Sequence, residues 1–155
     1  MTNMILTIIG ITLVAATVLM TVFYGGDAFY SSENRVEAAR LVSEGSQLHQ
    51  AVTSYKMRYG DHPANRGTHE QVLQELVNKR FLDDVPNGGI GPWRFDYPNG
   101  MIRSEVGDVN DEKARAVCAE ARAQQKLEDP ENIFKCDGSD HPNRVLPANE
   151  PCCIF

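Results

Sequence analysis

The chain has 155 residues, which suits a single domain, and a formal charge of −6 at pH 7. Its Lys and Arg residues are dispersed, and no run of cations alternates with aromatic residues. Because clustered cations dominate binding to phosphate backbones, we expect no nucleic-acid partner.

Residues 4–24 contain no charged side chain, and the first charge after them is Asp27. As a helix this run measures roughly 30 Å, which matches the hydrocarbon thickness of a bilayer. We therefore expect residues 1–28 to form a transmembrane or filament-core helix. A signal segment and a soluble core helix are the alternatives, but no basic residue precedes the run and the remaining chain is too small to surround it. The expected core positions are Met4, Ile5, Leu6, Ile8, Ile9, Ile11, Leu13, Val14, Val18, Leu19, Val22 and Phe23.

Gly25 and Gly26 follow the apolar run. Each glycine costs a helix roughly 1 kcal/mol, so the pair predicts a kink or a locally melted stretch. A second helical pattern then runs from residue 29 to about residue 59, and Gly60 and Pro63 predict its end. Its apolar residues repeat every three or four positions and form one face: Leu41, Gly45, Leu48, Val52, Tyr55 and Tyr59.

The remaining elements are short. We predict a helix over residues 69–79, and a β-hairpin whose strands 93–97 and 101–106 flank the turn Pro98-Asn99-Gly100. Asp111 is expected to cap a helix that runs to about residue 125. Residues 129–155 are predicted to form a loop that is held by covalent links. The fold class is therefore α+β, with a small antiparallel-sheet head over residues 29–155 on a long N-terminal helix.

The four cysteines are Cys118, Cys136, Cys152 and Cys153. Their even number, in a domain placed outside a membrane, favours two disulfides. Since a bond between adjacent cysteines is strained, we expect Cys118 to reach one of the pair and Cys136 the other, with the pairing left open. Zinc is the alternative, with His141 as a further ligand, but there is no CxxC pair and adjacent thiols suit tetrahedral ligation poorly.

The sequence contains no catalytic motif, and we predict no enzyme, no catalytic residue, no cofactor and no metal site. Four histidines are spread along the chain: His49, His62, His69 and His141. Two oxygen-rich stretches carry side chains of the kind that bind calcium, but both lack a full ligand loop and are interpreted as solvated turns or helix caps. They comprise Asp108, Asn110, Asp111 and Glu112, and Asp137, Ser139 and Asp140.

Two segments resemble type IV pilins and pseudopilins. Residues 55–63 read YKMRYGDHP and are similar to the end of that family's long helix, and residues 76–86 read LVNKRFLDDVP and are similar to the segment that follows it. The resemblance implies an α+β head on a helical spine and a helical homopolymer formed through the apolar segments. It also implies storage in the inner membrane, assembly by the pilus machinery and a final place in an extracellular filament on a bacterial surface.

The chain departs from the family in its first residues. Ile5 stands where most members carry a glutamate, no acidic residue precedes Asp27, and no leader that ends in glycine is visible. Gly25-Gly26 occurs where members usually have a proline. These departures concern processing and assembly, and they leave open a minor or tip pilin, a secretion pseudopilin, or an anchored binding domain that does not polymerise. Such filaments serve adhesion, motility, conjugation, DNA uptake or secretion.

Overall fold

The computed structural model describes residues 2–63, 67–87, 89–96, 100–107 and 110–154, and among residues 2–31 it describes a side chain only at Val14. The described elements are α1 (Thr2–Tyr59), α2 (His69–Asn78), β1 (Trp93–Asp96), β2 (Met101–Val106), α3 (Glu112–Gln124) and β3 (Cys152–Ile154). The predicted α+β class is therefore confirmed. The chain divides into two compact units, Met1–Glu33 and Asn34–Phe155, and the second unit holds the sheet, α2 and α3.

Helix α1 joins the two helices that the sequence predicts. Its 58 residues continue through Gly25 and Gly26, so the helix does not melt there, and the expected kink stays a prediction. The predicted end is confirmed, because Gly60 follows with a φ of +81°. Its N–H donates to the carbonyl of Lys56 at 2.8 Å, and glycine adopts this left-handed backbone without the strain of a Cβ atom.

The two short helices begin at local capping signals. Thr68 and Gln71 form a reciprocal capping box before α2, with the N–H of Gln71 donating to the Thr68 hydroxyl at 3.3 Å. The carboxylate of Asp111 accepts the N–H of Ala114 at 3.0 Å and caps α3, as predicted. Four α3 residues expected to point inward are buried: Ala114, Val117, Cys118 and Ala121.

The sheet has three strands in the order β1-β2-β3. β1 and β2 are antiparallel, with Trp93 opposite Ser104. β3 runs parallel to β2, with Ser104 aligned to Cys152. The prediction of an antiparallel sheet is therefore wrong for this edge, and part of the predicted C-terminal loop is a strand. A parallel partner needs a long crossover, which α3 and residues 125–151 provide.

The core of the second unit forms on one face of α1. In the predicted stripe Leu41, Leu48, Val52 and Tyr55 are buried and Gly45 is half-buried. Tyr59 keeps 48% of its surface exposed, so the inward face ends one turn earlier than predicted. Gly45 lies against the Trp93 ring, which β1 brings onto the helix. Buried residues of α2, β1, β2, α3 and the loop after α3 complete this core: Val72, Leu76, Phe95, Val106, Val117 and Ile133.

Candidate functional site

The expected filament-core side chains from Met4 to Phe23 lie outside the described residues, with the exception of Val14. Val14 is 63% exposed, and the backbone around it belongs to α1. Within the part of the chain that the structure describes, no helix combines the length and the apolar character needed to cross a membrane.

Helix α3 is attached to α1 by polar contacts near residues 35–37. Arg35 pairs with Glu120 at 3.4 Å, and Lys113 pairs with Glu37 at 3.1 Å. The Gln124 amide donates to the carbonyl of Arg35 at 3.3 Å. Exposed ion pairs of this kind contribute at most about 1 kcal/mol each, so they orient α3 while its buried face supplies the larger stabilisation.

Both predicted disulfides are present, and the structure gives their pairing. Cys118 of α3 is joined to Cys152, and Cys136 of the preceding loop is joined to Cys153. Because successive side chains of a strand point to opposite faces, two adjacent cysteines on β3 reach two different partners. Cross-links that close loops of this size contribute roughly 3 to 4 kcal/mol each in the chain-entropy model.

A buried ionic cluster holds the C-terminal segment beneath α3, and sequence reasoning missed it. The side chains of Arg122 and Glu150 are 1% and 0% exposed, and Arg122 Nε lies 3.1 Å from Glu150 Oε1. These atoms are not aligned as a hydrogen bond, so the contact is an ion pair. The Arg122 guanidinium also donates to the carbonyl of Asn132 and lies 5.1 Å from the centre of the Phe134 ring.

Arg103 of β2 is the second cation of this cluster. It lies 3.4 Å from Asp96 and donates to the carbonyl of Pro147 at 3.2 Å. Burial lowers the pKa of Arg103, and the charges of Asp96 and Glu150 oppose that shift. Burial raises the pKa of Glu150 to about 7, against the opposing effect of the two arginines.

The other polar residues considered in the sequence make local contacts. Asp137 accepts the N–H of Ser139 at 2.9 Å, and Asp140 accepts the N–H of Lys135 at 2.9 Å, as expected for turns. His69 accepts the N–H of Phe95 at 3.1 Å. Among the described residues, no group of three or more His, Cys, Asp or Glu side chains is placed to hold a metal ion.

A cluster of cations forms where the end of α1 meets the end of α2. The ring of Tyr59 lies 6.1 Å from that of Phe81 and 5.7 Å from Lys79 Nζ. We define the basic patch as four exposed cations and the two exposed residues between them: Lys56, Met57, Arg58, Tyr59, Lys79 and Arg80. The sequence shows no run of cations here, because the members come from two segments that tertiary packing brings together.

The described part of the head therefore combines two disulfides and a buried ionic cluster with an exposed basic patch at the end of α1. A comparison of the chain with protein-family models, curated proteins and solved structures finds no match.

Proposed function

We propose that the chain is a pilin-like structural subunit, which polymerises into an extracellular filament through its uncharged N-terminal helix. The observation that carries the proposal is the single helix Thr2–Tyr59. Its residues 34–59 bury one face in the braced head, while its residues 4–24 carry no charge. One helix thus combines a segment fixed in a folded head with a segment suited to lipid or to other copies of itself.

The chemistry of the apolar segment supports the same proposal. Residues 1–28 reside in the inner membrane before assembly and pack against other copies in the filament. Helices in an apolar environment associate through close packing at small residues, and Gly10, Ala15 and Ala16 provide such positions in this sequence. Transfer from membrane to filament then exchanges one apolar environment for another and is driven by the pilus machinery.

The two disulfides support a location outside the cytoplasm. They link α3 and the C-terminal loop to β3, and such bonds persist in oxidising compartments. A head displayed on a bacterial surface gains from covalent closure, since its core is small. The filament is accordingly a homopolymer whose heads face the environment.

The proposal is tested with a matched pair of substitutions on α1. Val14 and Val36 are exposed to similar extents, 63% and 67%, but only Val14 lies in the uncharged segment. A carboxylate at the centre of an apolar helix costs about 2.5 to 3.5 kcal/mol in lipid. In bacterial cells that make the full chain, we expect Val14→Asp to lower the yield of sheared filament by about tenfold or more, and Val36→Asp to leave the yield within about twofold.

Electron microscopy and mass spectrometry of the sheared surface fraction supply the measurement. Filaments composed of this chain, lost in Val14→Asp alone, would support the proposal. Equal filament yields from both variants would show that the N-terminal helix does not form the filament core. A wild-type chain that stays in the membrane fraction and forms no filament would overturn polymerisation in favour of an anchored binding domain.

A further inference from the structure

The basic patch is a concentration of unpaired positive charge on a chain of net charge −6. Among the described residues, none of its four cations forms an ion pair, although Lys56 lies 3.4 Å from His62. Nearby carboxylates are engaged locally: Asp61 accepts the N–H of His62, and Glu75 accepts the hydroxyl of Tyr55. The patch also exposes apolar surface, since Met57 is 82% exposed. Its charge therefore remains available to a partner.

A concentration of negative charge follows the end of α3. We define the acidic turn as Glu128, Asp129 and Glu131, all of which are exposed. In the described part of the head these three carboxylates take no part in an ion pair. The turn is held in place by backbone bonds, with Leu127 donating to the carbonyl of Arg122 and Asn132 to that of Asp129, both at 3.1 Å.

The two surfaces belong to different segments of the head. The basic patch surrounds Tyr59, the last residue of α1. The acidic turn begins four residues after Gln124, whose amide contacts the carbonyl of Arg35. Arg35 and Tyr59 are separated by 24 residues of one helix, or about 36 Å at 1.5 Å per residue. Among the described residues, no ion pair joins the two surfaces within one head.

We propose that the basic patch of one copy of this chain docks on the acidic turn of the next copy. This inference rests on the proposed function and assigns the contact between successive heads. The two surfaces are different, so the contact is heterologous and repeats from copy to copy, which generates open helical assemblies. Four cations face three carboxylates, and complementary charge of this kind fixes the orientation and register of the contact.

A second copy fits the patch better than a polyanion does. A chain of charge −6 repels a long polyanion beyond the patch itself, whereas a neighbouring head presents only a short acidic segment. The exposed Met57 and Tyr59 add apolar area that suits a protein surface. Binding of a polyanion is kept as one outcome of the test.

The test reverses the charge of each surface and then of both. In the full chain, Arg58→Glu with Lys79→Glu, and separately Glu128→Lys with Glu131→Lys, should each lower the yield of sheared filament about tenfold, because like charges then face each other. A chain with all four substitutions again pairs opposite charges and should recover filament to within about twofold of the wild type. Intact disulfides, shown by an unchanged mass after alkylation without reductant, establish that each variant folds.

The matched control is Arg115→Glu with Lys135→Glu. Both cations are exposed and lie outside the patch, and the change in net charge equals that of Arg58→Glu with Lys79→Glu. A wild-type yield of filament from the control would show that the loss in Arg58→Glu with Lys79→Glu depends on where the charges lie and not on the net charge of the chain. Wild-type yields from the two single-surface variants, or failure of the fourfold variant to recover, would overturn the proposal.

Two further results separate this inference from its alternatives. If Arg58→Glu with Lys79→Glu assembles normally but loses binding to heparin or to a single-stranded oligonucleotide, the patch is a polyanion site and the docking proposal fails. If the wild-type chain forms no filament, carbodiimide cross-linking of membranes tests the contact separately. Peptides that join Lys79 to Glu128 or Glu131 of another copy would support docking, and their absence would overturn it.

Discussion

Arg122 and Glu150 form an ion pair at 3.1 Å in a site that almost no solvent reaches. The two residues lie 28 positions apart, and their contact fixes the segment before β3 against α3. Breaking such a pair by removing one partner leaves a buried charge without compensation, which is strongly destabilising. The cluster thus gives the head a pH response that can be measured.

We predict that the free energy of unfolding falls as the pH rises from about 4.5 to about 7. In that window folded Glu150, whose pKa burial raises to about 7, retains a proton that the unfolded chain, at the ordinary value of 4.5, has released. Its carboxylate therefore forms the ion pair with Arg122 only as the pH reaches about 7 and above. Urea unfolding, followed by the fluorescence of the single tryptophan Trp93, should show this slope in the wild type.

Glu150→Gln should lack that contribution to the slope, whereas Glu131→Gln, at an exposed carboxylate of the same loop, should retain it. An identical pH dependence in the wild type and Glu150→Gln would contradict the prediction.

Alanine substitutions at two glycines should change the free energy of unfolding in opposite directions. A Cβ atom at Gly45 would lie 3.7 Å from the Trp93 ring, which is ordinary contact, whereas at Gly91 it would lie 1.8 Å from the carbonyl oxygen of Glu105. We expect Gly45→Ala to stabilise the head by about 0.5 to 1 kcal/mol through helix propensity. Gly91→Ala should destabilise it by about 3 kcal/mol or more. Urea midpoints check both values, and a stabilising Gly91→Ala would refute the described turn.

The two disulfides should differ in their contribution to stability. Cys118–Cys152 spans 34 residues and Cys136–Cys153 spans 17. The chain-entropy model gives roughly 3 to 4 kcal/mol for each, with the longer loop favoured by about half a kcal/mol. Paired alanine substitutions at each bond, compared by urea unfolding, measure this. A larger loss on removal of the 17-residue cross-link would show that packing around the sulfurs outweighs loop length.

Substitution of Asp111 tests how much its N-terminal cap stabilises α3. Asp111→Ala deletes the carboxylate that accepts the N–H of Ala114, and we expect a loss of about 1 kcal/mol. Asp111→Asn retains a side-chain oxygen and should lose much less. Thermal unfolding by circular dichroism compares the two variants, and equal losses would indicate that the negative charge, rather than the hydrogen bond, stabilises the helix.

The sequence predicts those elements whose signals are local. Asp111 and Gly60 mark helix ends by chemistry that operates within a few residues, and the predicted bounds of β2 agree with the structure. The sequence also predicts that Cys118 and Cys136 each bond to one of the two adjacent cysteines, and this is confirmed. Only the orientation of β3 decides which of them Cys118 reaches.

The features that sequence reasoning missed depend on contacts between distant segments. Strand β3 exists because Cys152 aligns with Ser104, and nothing in its short sequence specifies a parallel neighbour. Arg103, Arg122 and Glu150 are buried, whereas charged residues are ordinarily expected on the surface. The basic patch arises only when Tyr59 packs on Phe81, which brings together two pairs of cations.

The dependence of both cross-links on Cys152 and Cys153 sets an order for maturation of the head. Any chain that stops before residue 152 lacks both native partners, and its Cys118 and Cys136 stay reduced or join incorrectly. Covalent closure therefore comes after α1, α2 and α3 have been synthesised. The presence of either native cross-link therefore shows that synthesis of the chain has reached β3.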